Sequence, residues 1–239
     1  MGRTHPASAV LLIDQKMIWN AVPGLLDGAG VTLGLVVGSV GVGMLLGAPI
    51  GVGHVYGSRA VRTGLWLFDR VFRGFPAIVL LFLAFFGAGQ LLSVRISPFL
   101  AVILALGLRS AAYQGQIFRG ALEMVERGQL EAARALGLSL PGTVRCVLLP
   151  QAARFALPAL SNEYSVVLKD TALAFTVGVV DLMSRAKFLA MRSREVLVAY
   201  LLVAGVYFVL TYAGIALFRI VERAIAVPGL GSRRVRRSR

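Results

Sequence analysis

Three stretches of this chain, roughly 29–53, 74–94 and 196–218, carry no charged residue over at least 21 positions each. A helix needs about 20 mostly apolar residues to cross a bilayer's hydrocarbon core, so each stretch predicts a transmembrane helix. Two further stretches are interrupted. Residues 96–118 hold only Arg109, and residues 155–182 hold Glu163, Lys169, Asp170 and Asp181. The chain is therefore expected to be an all-α membrane protein, a single membrane domain with about five transmembrane helices. A hydrophobic fraction of 57% and a mean hydropathy of +0.79 agree, since both lie far above a soluble domain's range. Within the first span, Gly30, Gly34 and Gly38, and again Gly43 and Gly47, recur every four residues. That spacing puts each set on one helical face, where small residues let helices in lipid approach closely.

The net charge of +14 and the terminal run Arg233-Arg234-Val235-Arg236-Arg237-Ser238-Arg239 raise the question of a nucleic-acid partner. Membrane topology accounts for the charge more simply, because basic residues resist translocation, gather in cytoplasmic loops and meet anionic headgroups. No nucleic-acid partner is expected. Cys146 is the single cysteine, so no intrachain disulfide can form, and no metal-ligand cluster surrounds it. No cleavable signal sequence is read in residues 1–28, where Arg3, Asp14, Lys16 and Asp27 leave only a short apolar run at 9–13. Met17-Ile18-Trp19 with Val22-Pro23 reads as an interfacial lead-in, with Trp19 at headgroup depth. The expected divisions are a tail and lead-in over 1–28, a transmembrane domain over 29–223 and a basic cytoplasmic tail over 224–239.

Residues 131–150, EAARALGLSLPGTVRCVLLP, form a hydrophilic island in this oily chain. Gln129 to Leu136 favours helix, and Gly137 stands where a left-handed cap would end one. Glu131 is expected in the first turn, where the helix macrodipole favours negative charge. Ala132 and Ala133 are small enough to admit a partner surface. Ser139 is expected to cap a second short helix with Pro141 in its first turn, and Pro150 to stop that element. The result would be two short helices under the membrane, shaped for another protein's cleft.

Glu131-Ala132-Ala133, Gly137, Val147, Leu149 and Pro150 follow the spacing EAA-x3-G-x9-(I/V)-x-L-P, which resembles the cytoplasmic coupling loop of ABC-importer permeases. Leu149-Pro150-Gln151-Ala152, Leu157-Pro158, Asn162 and Leu168-Lys169-Asp170-Thr171-Ala172-Leu173-Ala174 are similar to permeases of polar amino acid importers of the type I fold. So are Ala112-Tyr113 with Ile117-Phe118-Arg119-Gly120, Phe72-Arg73-Gly74-Phe75-Pro76, and Gly28 with Thr32-Leu33. The likeness runs over roughly 24–223. Four positions depart from the family's habit: Gln116 replaces a glutamate, Ala172 a serine, Phe75 a threonine, and Arg109 a neutral residue.

The resemblance implies a non-catalytic permease subunit of an ATP-driven importer, translocating a polar amino acid by alternating access. A separate ATPase dimer would dock on Glu131, Ala132, Ala133, Gly137, Leu149 and Pro150, in a coupling loop of about 120–154 between spans three and four. A periplasmic or lipid-anchored solute-binding protein would deliver substrate. A second permease chain, identical or not, would complete the pathway. No cofactor belongs to this chain, ATP and magnesium being bound by the ATPase. The residues agree, for no G-x4-G-K-[ST] phosphate loop occurs, and the only histidines, His5 and His54, form no Ser-His-Asp set. With the island in the cytoplasm of a bacterial inner membrane, the N-terminus lies outside and the C-terminus inside. Fourteen basic residues then fall in inside segments and seven in outside ones, in line with the positive-inside rule. The basic 183–195 loop, sent outward, runs against it.

An ionised side chain at bilayer depth needs a partner or a cavity. The candidate pathway residues are Arg109, Tyr113, Gln116, Glu163, Lys169 and Asp170. A zwitterionic amino acid needs an anion for its ammonium and a donor for its carboxylate. Glu163 or Asp170 could supply the first, Lys169 or Arg109 the second. The alternative is internal pairing, Arg109 with Glu163 and Lys169 with Asp170. At the level of function, the alternatives are a permease for another small solute, a motor-independent secondary transporter and a basic membrane scaffold. A secondary transporter would leave the island unexplained and should show an inverted repeat, which is not found.

Overall fold

The computed structural model describes residues 15–87, 90 and 95–225, and every regular element among them is helical. The Trp19 side chain, residues 1–14 and the arginine run at 233–239 lie outside the described residues. Helix α1 (Gln15–Tyr56) is 42 residues long, so residues 15–28 of the expected lead-in form its first turns. It is followed by α2 (Arg59–Gly74) and by α3 (Ala77–Phe82), which continues as a π-helical turn over Leu83–Gly87. Next come α4 (Pro98–Glu123), α5 (Arg127–Ala135) and α6 (Leu140–Thr143). A π-helical turn, Val144–Leu148, leads into α7 (Leu149–Asp170), which ends in a 3-10 turn, Thr171–Val177. Helices α8 (Leu182–Ser193) and α9 (Val196–Ala224) complete the chain.

Two predicted runs are subdivided. The stretch beginning at 74 is broken at once, because Phe75 is extended (φ −90°, ψ 145°) and α3 starts only after Pro76. A proline ring disfavours helix for its predecessor, and the chain breaks here, although α1 and α7 run on through Pro49 and Pro158. The 155–182 stretch is α-helical only to Asp170. Gly178 then takes a left-handed conformation (φ 90°), and Asp181 caps α8, its Oδ1 accepting from the Ser184 N–H at 2.8 Å. The buried Asp181 carboxylate therefore serves a helix end outside any helical span.

The helices contribute to two compact units. One comprises Met1–Gly41, Pro76–Gly107 and Val167–Thr211. Its core joins Leu25 of α1 to Leu182 and Ala186 of α8 and Val203 of α9, and the Leu182 N–H donates to Thr32 Oγ1 at 3.2 Å. Gly34 and Gly38 of α1 face Phe99 and Ile103 of α4, as the small-residue face predicts, whereas Gly30 faces open space. The other unit comprises Val42–Phe75, Leu108–Val166 and Tyr212–Arg239. Its core runs from Phe118 and Leu122 of α4 through Val144 and Leu148 to Ala152, Ala156 and Leu160 of α7. Here Gly47 of α1 abuts Gln114 and Gly115, and Gly51 abuts Phe118. The contacts ascend both helices together, so α1 and α4 run parallel in this unit.

Residues Ala21–Tyr56 and Val196–Ala224 are each long and apolar enough to cross a membrane. On α9, Leu201, Phe208, Val209, Leu217 and Ile220 are each more than 60% exposed. A row of bare aliphatic and aromatic side chains on one helix fits acyl chains rather than water. At 1.5 Å per residue, α4 and α7 would be about 39 and 33 Å long, enough for a hydrocarbon core of about 30 Å.

Candidate functional site

The island folds as two short helices, with shifted details. Helix α5 begins at Arg127 with Glu126 in the cap position, two residues before its expected start. Glu131 consequently lies beyond the first turn and gains little from the macrodipole, whose influence fades within that turn. Gly137 has φ 80°. Its N–H donates to the Arg134 carbonyl at 2.9 Å and the Leu138 N–H to the Ala133 carbonyl at 3.1 Å, the paired bonds of a Schellman cap. Ser139 caps α6 as expected, its Oγ accepting from the Gly142 N–H at 3.4 Å, with Pro141 in the first turn.

Pro150 does not stop the second helix. The Leu149 N–H already reaches back to Val144 across the π-helical turn, so the α-type ladder is interrupted there before proline arrives. Pro150 then sits in the opening turn of α7, where a missing N–H is tolerated.

The residues expected to dock the ATPase divide by exposure. Glu131, Ala132, Gly137 and Pro150 are exposed and Leu149 is partly buried, whereas Ala133 is 4% exposed and turned into the chain's own core. Its small size serves the fit of α5 to that core. Leu136, which the sequence reading passed over, is 83% exposed at the tip of the turn. Leu130, Leu140, Val147 and Leu149 pack against the core formed by α4 and α7. Helices α5 and α6 are therefore anchored on both.

The polar residues of α4 point to different partners. The Tyr113 ring receives two guanidinium groups, with Arg73 Cζ 4.8 Å and Arg109 Cζ 5.0 Å from its centroid. Ser110, next to Arg109, donates to Glu163 Oε1 at 2.8 Å and accepts from Gln114 Nε2 at 3.0 Å. Glu163 is 5% exposed. Arg109, Tyr113 and Glu163 thus gather about one stretch of α4. Gln116 is drawn elsewhere, donating from Nε2 to Asp69 Oδ2, beside His54 Nε2 at 3.3 Å. The sequence reading missed Asp69 and His54; the signal lay in α2, where Asp69 shares a face with Leu65, Phe68 and Phe72.

Lys169 and Asp170 end α7 and belong to the other unit. Lys169 is exposed and borders a recess of about 360 Å³ with Met183, Tyr200 and Tyr207. No group of three or more histidine, cysteine, aspartate or glutamate residues able to hold a metal occurs among the described residues.

Comparison with known proteins gives concordant results. Residues 39–227 match the family model of the binding-protein-dependent transport system inner membrane component. The chain is 38% identical over 205 residues to the histidine/lysine/arginine/ornithine transport system permease protein HisM of Salmonella typhimurium, covering 82% of this chain and 87% of that one. It is 34% identical over 218 residues to the probable amino-acid permease protein YxeN of Bacillus subtilis, covering 90% and 97%. Among solved structures, an amino acid ABC transporter crystallised with histidines aligns with a TM-score of 0.78 at 32% identity, over 89% of this chain and 99% of that one. The inward-facing MetNI methionine ABC transporter aligns with a TM-score of 0.76 at 22% identity, over 90% and 100%, a likeness of fold.

Proposed function

This chain belongs to the binding-protein-dependent transport system inner membrane components and is a permease subunit of an ABC importer, and from that premise we propose that it carries a polar amino acid. As such a subunit it works in the membrane with an ATPase and a solute-binding protein. The named relatives, which include a histidine/lysine/arginine/ornithine permease, support an amino acid as substrate. The chemistry around α4 and α7 is compatible with a zwitterion. In one unit Glu163 offers an acceptor for an ammonium group and Arg109 a donor for a carboxylate, and in the other Asp170 and Lys169 offer the same pair of functions.

The observation that carries the motor half of the reading is the turn at Leu136-Gly137. A largely exposed leucine sits beside a left-handed glycine on helices anchored to α4 and α7. The ATPase docks there, with Glu131, Ala132 and Pro150 alongside and Ala133 setting the helix against its own core. ATP is bound and hydrolysed in that partner. Its binding energy acts on the permease only through contacts that differ between inward- and outward-facing states. Two permease chains about a twofold axis enclose the pathway.

The parallel course of α1 and α4 supports the expected topology. Two parallel spans require the intervening chain to return across the bilayer, which residues 57–97 would do. Five spans, an outside N-terminus and a cytoplasmic island and C-terminus are compatible with that arrangement.

The decisive experiment coexpresses the chain with its genomic ATPase and binding protein, and reconstitutes the purified complex in proteoliposomes. ATP-dependent accumulation is then measured over a panel of amino acids. Accumulation of at least one polar amino acid is the expected result. A complex that assembles and hydrolyses ATP but moves none of them overturns the substrate assignment, and a chain recovered without any ATPase overturns the docking assignment.

A further inference from the structure

We propose that α2 is a phospholipid-binding helix, on which Arg59, Arg62 and Arg70 hold anionic headgroups while Leu67 and Val71 enter the acyl-chain region. At 3.6 residues per turn, Arg59, Arg62, Trp66, Arg70 and Arg73 fall within an arc of about 80°. Ala60, Gly64, Leu67 and Val71 fill the neighbouring arc. The third arc carries Leu65, Phe68, Asp69 and Phe72, which are partly or fully buried.

The first two arcs are bare. Arg59, Arg62 and Arg70 are exposed, Leu67 is 60% exposed, and a Cβ added at Gly64 would meet nothing within 4 Å. A helix facing water has no reason to present Leu67, Val71 and Trp66 together, and a simple membrane span would not carry four arginines in sixteen residues. Both features suit a helix lying in the headgroup plane with its apolar side turned to the chains. The Arg70 guanidinium lies 3.6 Å from the Trp66 ring centroid, a stack that presents both groups at interfacial depth. Guanidinium also matches phosphate with two parallel hydrogen bonds. Arg73 is set apart from this row, because it lies against Tyr113. The tie between Asp69 and His54 fixes the rotation of α2 and so keeps the arginine row outward.

The test uses the purified full chain in detergent. The sequence has two tryptophans, so a Trp19→Phe background leaves Trp66 as the sole indole. Titration with mixed micelles of dioleoyl phosphatidylglycerol should shift Trp66 emission to the blue in a saturable way, weakened by salt, whereas dioleoyl phosphatidylcholine should give little response. An arginine near an anionic surface contributes about fivefold to binding, so Arg59→Gln with Arg62→Gln should weaken the phosphatidylglycerol response about 25-fold. Arg59→Lys with Arg62→Lys should restore most of it. Equal responses to the two lipids, or a glutamine pair that titrates like its parent, would overturn the proposal. So would capture of a protein partner that the glutamine pair loses while lipid preference is absent. None of these readouts depends on transport, so they leave the substrate and motor assignments to their own test.

Discussion

His54 Nε2 and Asp69 Oδ2 lie 2.8 Å apart across the corner between α1 and α2, and both side chains are less than a tenth exposed. Gln116 of α4 donates to the same carboxylate oxygen, so three helices converge on one atom. Asp69 Oδ1 is buried and has no hydrogen-bond partner among the described residues. The corner thus depends on a single oxygen. Asp69→Ala should remove about 1.5–3 kcal/mol of stability, the usual worth of a hydrogen bond to a charged group. Thermal unfolding of the purified chain measures it, and an unchanged midpoint would show that the corner is held by packing alone.

Leu136 makes the sharpest claim about the motor. Its exposure means that Leu136→Ala should leave the permease as stable as before. If the leucine is buried against an ATPase, its truncation should forfeit about 1.5–3 kcal/mol, roughly a tenfold to hundredfold loss of affinity. Pull-down of the ATPase on immobilised permease reads this directly. Retention at wild-type level would remove Leu136 from the interface.

Gly137 separates conformational need from space. A Cβ there would touch nothing within 4 Å, yet φ is 80°. Substitution should therefore be limited by the left-handed backbone. Asn should be tolerated best, Ala should cost about 1 kcal/mol, and Val more. ATP-driven uptake should fall in that order. An Ala variant worse than Val would point to a contact instead of a backbone effect.

At Gly47 the constraint is the reverse. An added Cβ would lie 2.7 Å from the Gln114 Cβ and 3.1 Å from the Gly115 nitrogen. Gly47→Val should force α1 and α4 apart and lower the yield of folded permease, since overpacking typically costs about 1–3 kcal/mol. Detergent-extracted yield and thermal midpoint report this, and wild-type values for both would mean the helices can slide.

Glu163→Gln keeps an acceptor for the Ser110 hydroxyl while removing the charge. If the carboxylate meets a substrate ammonium, apparent uptake affinity should drop about tenfold or more, the worth of a charge-assisted hydrogen bond. Stability should change little. A loss of stability with unaltered affinity would assign Glu163 to helix packing.

The helical fold and the island were readable because their signals are local. A glycine after a helix-forming run and a serine two residues later specify caps through their own backbone geometry, and both form. The uncharged runs likewise announced helices, 29–53 continuing through Pro49 and 74–94 being interrupted at Pro76. Boundaries that depended on neighbours were less legible. Pro150 looked like a stop, and only the preceding π-helical turn, which no composition announces, lets the helix continue. Residues 59–73, between the first two uncharged runs, carried no helix expectation, because hydropathy averages over a helix whose apolar and cationic arcs cancel. The partners of Gln116 were out of reach, lying 47 and 62 residues away in sequence. Ala133 was recognised as small, but which way that face turned depended on the packing of α4 and α7.

Cys146 sits exposed in the π-helical turn between α6 and α7, and it is the chain's sole thiol. Nature has thereby left a ready labelling position at the junction where the two short helices meet the long one. A spin label or fluorophore placed there needs no cysteine-free background. Paired labels in a two-permease assembly would report, in ångströms and during turnover, how far the junctions travel when nucleotide arrives.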